Sequence, residues 1–315
     1  MRPVSKPSLS RRRFLAISAA TAALPAAARA ARPVTRWRGA ALGAQASMTL
    51  VGVHEAEATD VFAAVEEEID RLEGLFSLYR RGSLLARLNA EGRLTAPPGE
   101  FLDLLELSDR LQRTTCGAFD PTIQPLWLLH AAAATERRRP TAGEVAAVRE
   151  SCGWRHLEIS PREVAFTRPG MALTFNGIGQ GYIADRVAAL LRGMGLRDVL
   201  VDMGEIAALG RRPDGRPWRA GISLPEGRIV REVRLGERCL ATSAPLGTLL
   251  DPAGRVGHIL DPRSGEPGGR WKLVSVAADR AALADGLSTA CCLLSRDAIA
   301  VALGAHPDAS LEALL

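Results

Sequence analysis

The chain has 315 residues, 47% hydrophobic and 24% charged but only 4% aromatic. That composition supports one large packed domain or two small ones, and it excludes a disordered chain, a collagen-like repeat and a disulfide-stapled miniprotein. The formal charge of +5 belongs to the first 30 residues, which carry six bases and no acid; the remaining 285 set 34 bases against 35 acids, so no nucleic-acid partner is expected.

Residues 1–30 read as a leader. Ser10-Arg11-Arg12-Arg13-Phe14-Leu15 places paired arginines before a short apolar run over residues 14–24, and Ala28-Arg29-Ala30 offers the small residues a signal peptidase needs. The run ends at Pro25, well short of the ~20 residues that cross a bilayer. Twin-arginine export to the periplasm is therefore predicted. No cysteine lies near the cleavage site, so no lipid anchor is expected.

Residues 31–40 read as a linker and 41–315 as the working domain. A strand is predicted over 41–53. Thr59-Asp60 then opens a helix in which Val61, Val65, Ile69, Leu72 and Phe76 recur at helical spacing. A short helix carries Leu84, Leu85 and Leu88 and ends at Asn89; a third spans 101–113 and is stopped by Gly117. With Pro121 and Pro125, residues 116–126 read as an ordered loop, and 141–151 as a helix on a polar surface. Short strands follow at 157–159, 164–166 and 171–173, separated by turn residues. A helix over 177–192, strands at 199–201, 206–209, 218–222, 229–235 and 274–276, and an apolar helix over 281–294 complete the order. Strands mixed with helices, without regular βαβ alternation, predict an α+β fold. Cys116, Cys152, Cys239, Cys291 and Cys292 are odd in number and lack metal spacing, so they read as buried small apolar side chains.

Four segments carry residues suited to chemistry. Thr174-Phe175-Asn176-Gly177-Ile178-Gly179-Gln180-Gly181-Tyr182 puts glycines at a strand-to-helix junction, where helix-start amides can face a phosphate. Its spacing is not the dinucleotide fingerprint. In the closing helix Asp285 and Thr289 stand four apart, so a carboxylate and a hydroxyl share one face; such hard oxygen ligands suit Mg²⁺. Asp285 sits in an apolar run and asks for a partner. Ala241-Thr242-Ser243 is followed by His258-Ile259-Leu260-Asp261-Pro262. Asp120, between Phe119 and Pro121, either caps a turn or binds a sugar hydroxyl.

In this order, the segments resemble the ApbE family of FAD:protein FMN transferases. The matching residues are Leu75-Phe76-Ser77-Leu78-Tyr79 with Arg87-Leu88-Asn89, then Gly117-Ala118-Phe119-Asp120-Pro121-Thr122 with Pro125-Leu126. Gly181-Tyr182-Ile183-Ala184-Asp185, Trp218-Arg219-Ala220-Gly221-Ile222, Ala241-Thr242-Ser243, His258 to Pro262, and Ala284-Asp285 with Thr289-Ala290 follow. The resemblance implies a flavin transferase fold with the nucleotide in a central cleft. It also implies Mg²⁺-dependent transfer of FMN from FAD to a Thr or Ser hydroxyl of a partner protein, with release of AMP. Leu42, Tyr79, Ala118, Phe119, Asp120, Thr174, Gln180 and Ser243 would line the nucleotide. Asp285, Thr289 and the Gly177 carbonyl would hold the metal, and His258 would be a base or a phosphate contact. His258 and Asp285 are the catalytic candidates.

The chain departs from the family pattern at Thr174 (usually Asp), Gln180 (usually Lys), Leu42-Gly43-Ala44 (usually Met-Gly-Thr) and Gly204-Glu205 (usually a glycine pair). Gln180 either faces the ligand without lysine's charge or points to solvent. The variant around Asn176 and Tyr182 resembles exported flavinylases that serve membrane-bound respiratory subunits. Two other readings compete: an FAD pyrophosphatase, in which water replaces the acceptor hydroxyl, and a non-catalytic flavin carrier. Retention of both Asp285 and Thr289 speaks against the carrier.

Overall fold

Seven strands, the central ones buried on both faces, organise the molecule. A computed structural model describes residues 32–224, 226–251, 254 and 256–315; the leader read over 1–30 lies outside them. The strands are β1 (Val34–Ala41), β2 (Ala44–Val51), β3 (Arg93–Thr95), β4 (Leu157–Ile159), β5 (Glu163–Phe166), β6 (Val199–Asp202), β7 (Ile206–Leu209), β8 (Trp218–Ser223), β9 (Ile229–Leu235), β10 (Cys239–Ser243), β11 (Val274–Ala278) and β12 (Ser310–Leu314). The helices are α1 (Glu55–Phe76), α2 (Leu84–Glu91), α3 (Gly99–Thr114), α4 (Gln124–Thr135), α5 (Ala142–Arg149), α6 (Gly179–Gly193), α7 (Ala281–Cys291) and α8 (Arg296–Gly304). The α+β expectation holds.

The main sheet has the order β1-β2-β6-β7-β10-β11-β12, and every neighbouring pair is antiparallel. On one face Val199, Val201, Leu209 and Ala241 pack with helices α1, α6 and α7. On the other, Leu200, Ile206, Ala208 and Leu240 pack against the β8–β9 hairpin through Trp218, Ile222, Val233 and Leu235. Burial on both faces is why these strands read as unbroken apolar runs despite a side-chain period of two. The antiparallel order also makes β1, β6 and β10 run the same way, so their carboxyl ends meet at one edge of the sheet.

Residues between β2 and β6 fold over the helical face. Their centre is an aromatic cluster: the Phe76 ring lies 6.0 Å from Phe101, 5.7 Å from Phe175 and 5.3 Å from Tyr182. The Phe101 ring is stacked on Phe76 and the other two meet it edge-on; each such pair adds about 0.5–1.5 kcal/mol beyond its area, and together they fix α1, α3 and the entrance to α6 against one another.

Several elements differ from the sequence reading. The expected linker is mostly strand β1, which pairs with β2 through a two-residue turn at Leu42 and Gly43. Both carry positive φ, 47° and 84°, as such tight hairpins require. Residues 171–173 form no strand, because the Asn89 side chain replaces one: its Nδ2 donates to the Leu173 carbonyl at 2.8 Å and its Oδ1 accepts the Leu173 N–H at 2.7 Å. The proline-rich loop continues into α4, where Pro125 occupies the first turn and its missing N–H costs nothing. Three cysteines are buried, but Cys116 is exposed and Cys152 half-buried, and all five are free thiols.

Candidate active site

The cleft opens where the carboxyl ends of β1, β6 and β10 converge. The β1–β2 turn brings Leu42, the end of β10 brings Thr242 and Ser243, and α7 brings Asp285 and Thr289. Segments leading out of α1, out of α3 and into α6 supply Tyr79, Ala118-Phe119-Asp120 and Thr174 to Gln180. The enclosed volume is about 260 Å³. Every residue predicted for the site lies on this one wall system: Leu42, Tyr79, Ala118, Phe119, Asp120, Thr174, Gly177, Gln180, Ser243, His258, Asp285 and Thr289.

Asp285 is buried in α7, where its Oδ2 accepts the Gly181 N–H at 3.1 Å. Ser243 Oγ lies 2.7 Å from Ser288 Oγ and 3.3 Å from Thr289 Oγ1. Gly177 approaches so closely that a Cβ there would stand 3.2 Å from Thr289 Oγ1. The three residues expected at a metal are therefore neighbours. Three of the helix-start amides expected to face phosphate are already committed: those of Ile178 and Gly179 donate to the Phe175 carbonyl, and that of Gly181 to Asp285.

The electrostatics of the cleft floor are acidic. Burial pushes the Asp285 carboxyl up to about 7 against the pull of the Gly181 N–H. Glu205, which the sequence reading noted only as a departure from a glycine pair, is buried with its Oε2 on the Thr242 N–H at 3.2 Å. Burial first and nearby Asp285 second hold it well above the usual carboxylate range. No described arginine or lysine contributes to either shift. Buried anionic charge without a protein cation, beside hydroxyls and a backbone carbonyl, fits a hard divalent cation. Among the described residues no three His, Cys, Asp or Glu side chains form a metal cage, so water and ligand oxygens would complete the shell.

His258 is made ready by its backbone surroundings. Its Nδ1 lies 3.1 Å from the Thr248 carbonyl, and the Pro245 carbonyl also bonds the ring; a carbonyl only accepts, so Nδ1 is the donor toward Thr248. Burial lowers its pKa below the ordinary histidine value, keeping the ring neutral. Asp120 caps a turn: it accepts from the Thr122 N–H at 2.9 Å, the Thr122 hydroxyl at 2.7 Å and the Trp154 N–H at 3.1 Å. Its carboxylate thereby shapes the Ala118-Phe119 wall. Gln180 faces inward, against Gly204, where a Cβ would stand 2.7 Å from Gln180 Nε2. The solvent-facing alternative for Gln180 does not hold.

Asp202, at the end of β6, is pushed up to about 6 by burial, opposed by one hydrogen bond from the Gly204 N–H. A carboxyl raised in the folded state stabilises fully below its unfolded pKa of 3.8, and that contribution is lost as pH rises through about 6. Asp202→Asn, which keeps an acceptor for Gly204, is thus expected to gain about 1–2 kcal/mol at about pH 7.5 and little at about pH 4. Urea unfolding at both pH values checks this, and equal differences at the two would contradict it.

The fold is that of solved flavin transferases. The flavin transferase ApbE from Vibrio cholerae superimposes with a TM-score of 0.77 at 27% identity, over 86% of this chain and 90% of that one. The apo flavinyl transferase ApbE of Pseudomonas stutzeri gives 0.74 at 30% identity, over 86% and 88%. The ApbE family profile matches residues 42–315, and the chain belongs to that family. Among curated relatives, an FAD:protein FMN transferase of Klebsiella pneumoniae is 30% identical over 287 residues, 86% of this chain and 80% of that protein. One from Vibrio cholerae is 32% identical over 239 residues, 71% and 72% respectively.

Proposed function

We propose that this chain is an exported FAD:protein FMN transferase. It moves FMN from FAD to a Thr or Ser hydroxyl of an acceptor protein and releases AMP. The observation that carries this reading is the convergence of Asp285, Thr289, Gly177, Ser243 and His258 on one cleft in a chain of the ApbE family.

In this reading the acceptor oxygen forms a bond to the FMN phosphorus, the pyrophosphate bond breaks, and AMP leaves with the bridging oxygen. Asp285, Thr289 and the Gly177 carbonyl would hold Mg²⁺, which when bound would supply positive charge against the phosphates. Neutral His258 offers Nε2 to take the hydroxyl proton. Ser243, set beside Thr289, offers its hydroxyl to a phosphate oxygen. Tyr79, its hydroxyl bonded by Asn176, and the Ala118-Phe119 wall hold the flavin. The paired arginines of the leader support twin-arginine export, which would place the enzyme beside the periplasmic domains of membrane-bound respiratory subunits, its proposed acceptors. No helix among the described residues is long and apolar enough to cross a membrane.

The test is incubation of the protein with FAD, Mg²⁺ and a soluble acceptor domain of a flavinylated respiratory subunit. Flavin fluorescence that stays on the acceptor after denaturation is expected, with stoichiometric AMP. Free FMN and AMP alone would identify a pyrophosphatase, and intact FAD a carrier. Gln180 gives a second check, because it faces the cleft with a neutral amide. Gln180→Lys is expected to tighten FAD binding roughly tenfold through a charge-assisted contact and to make it salt-sensitive. An FAD titration at low and high salt reads both, and an unchanged affinity would remove Gln180 from the nucleotide site.

A further inference from the structure

One half-buried carboxylate outside the cleft holds two of its walls at once. Glu73 lies in the last turn of α1, with its side chain 15% exposed. Its Oε1 accepts the backbone N–H of Leu42 at 2.7 Å, and its Oε2 pairs with the Arg80 guanidinium at 2.6 Å. Leu42 is the tip of the β1–β2 hairpin, and Arg80 directly follows Tyr79. Leu42 and Tyr79 both line the cleft, whereas neither Glu73 nor Arg80 does.

The remaining contacts show why that position matters. Leu42 is held at φ 47°, a left-handed conformation that a leucine adopts only under constraint. A second strap, Trp37 Nε1 to Glu66 at 2.7 Å, ties the body of β1 to α1 but leaves the hairpin tip to Glu73. On the other wall, Ser77 Oγ accepts the N–H groups of Tyr79 and Arg80 at 3.1 and 3.2 Å. Arg80 is anchored further by Asp70 Oδ1 at 2.7 Å. The Tyr79 segment is thus a preformed turn clamped to α1, and the hairpin tip is clamped to the same turn of the helix through the same carboxylate.

We propose that Glu73 is a positioning residue that sets the spacing between the Leu42 and Tyr79 walls, and so the fit of the FAD isoalloxazine–ribityl portion, without touching the nucleotide. This rests on the reading that the cleft receives FAD. The metal groups lie on α7 and at Gly177 and the base on the segment around His258, none of them on the hairpin tip or the Tyr79 turn that Glu73 holds, so the effect is on FAD affinity and not on the chemical step.

The test compares wild type with Glu73→Gln, Glu73→Ala and Arg80→Ala, using FAD itself as the probe. FAD dissociation constants come from fluorescence quenching without acceptor, and KM for FAD, kcat and the half-saturating Mg²⁺ concentration from the transfer assay. Glu73→Ala, which releases both walls, is expected to weaken FAD binding and raise its KM about tenfold while kcat stays within about twofold. Glu73→Gln keeps an acceptor for Leu42 but loses the Arg80 pair, and Arg80→Ala frees only the Tyr79 side; each is expected to weaken binding about threefold. The Mg²⁺ requirement should not move in any variant. Folded variants with wild-type FAD affinity, or a kcat that falls with KM unchanged, would overturn the proposal. Should Glu73→Ala not fold, the two milder variants decide by the same criteria. If wild type itself fails to bind FAD, the functional reading falls; if wild type binds and the variants bind equally, only the role of Glu73 does.

Discussion

Replacing Asp285 by Asn is expected to lower flavin transfer at least about a thousandfold, some 4 kcal/mol in the transition state, while leaving the fold intact. The asparagine carbonyl can still accept the Gly181 N–H that Asp285 accepts at 3.1 Å, so the α6–α7 contact survives. What disappears is the carboxylate one helical turn from Thr289. The folded protein should tolerate this well, because burial already pushes the Asp285 carboxyl up to about 7 and a neutral amide is easier to bury than a charge. Two measurements separate the effects. Turnover at limiting and saturating Mg²⁺ reads the chemistry, and the Mg²⁺-dependent rise in thermal midpoint, which follows from binding to the native state alone, reads the site. Wild type should show the rise and Asp285→Asn should not. Near-wild-type turnover at limiting Mg²⁺ would mean that the metal is held elsewhere.

Gly181→Ala is expected to destabilise the protein strongly and to take the activity with it. A Cβ at Gly181 would stand 2.4 Å from the Ala281 carbonyl oxygen, 2.6 Å from its carbon and 2.7 Å from the Ala282 Cα. These are backbone atoms at the start of α7, so no rotamer relieves the clash; the two helices must part. The same stretch of α6 fastens α7 in two other ways. Gly181 N–H donates to Asp285, and Asp185, one turn further on, accepts the Ala281 and Ala282 N–H groups at 2.6 and 3.1 Å. Since Arg280 provides no side-chain cap, Asp185 serves as the cap of α7 from a neighbouring helix. Parting the helices breaks all three bonds, with an expected loss of about 3 kcal/mol or more. Activity should fall with stability, because Asp285 and Thr289 ride on α7. Chemical denaturation and turnover of the purified variant check both, and a denaturation midpoint equal to wild type would show that the helices can re-space without cost.

Much of the site was legible in the sequence because its residues sit in short, ordered segments. Asp285 and Thr289 four apart in an apolar helix, the glycine-spaced run before Tyr182 and the His258 segment each state a local geometry. The family resemblance then placed all twelve named positions, and the fold brings them to one cleft. Elements were missed where local pattern and tertiary role part company. Strand β10 is five residues with a small-residue centre, and β12 is half-buried throughout; neither announces itself without its neighbours. The linker reading failed because β1 buries only Thr35, Trp37 and Ala41, with exposed Arg36, Arg38, Gly39 and Ala40 among them.

What the sequence by itself determined is the α+β class, the apolar faces of α1, α6 and α7, and the identity of the groups offered to a ligand, since periodicity and residue chemistry are local properties. Only the tertiary structure decided how those groups are held and charged. Asn89 stands in for a strand beside Leu173, Asp120 is consumed as a cap, and Glu205 and Asp285 share a buried floor whose like charges raise each other's cost. Those are facts of distance between residues tens of positions apart, and burial, which sets the strength of every charge in the cleft, exists only once the chain has closed over it.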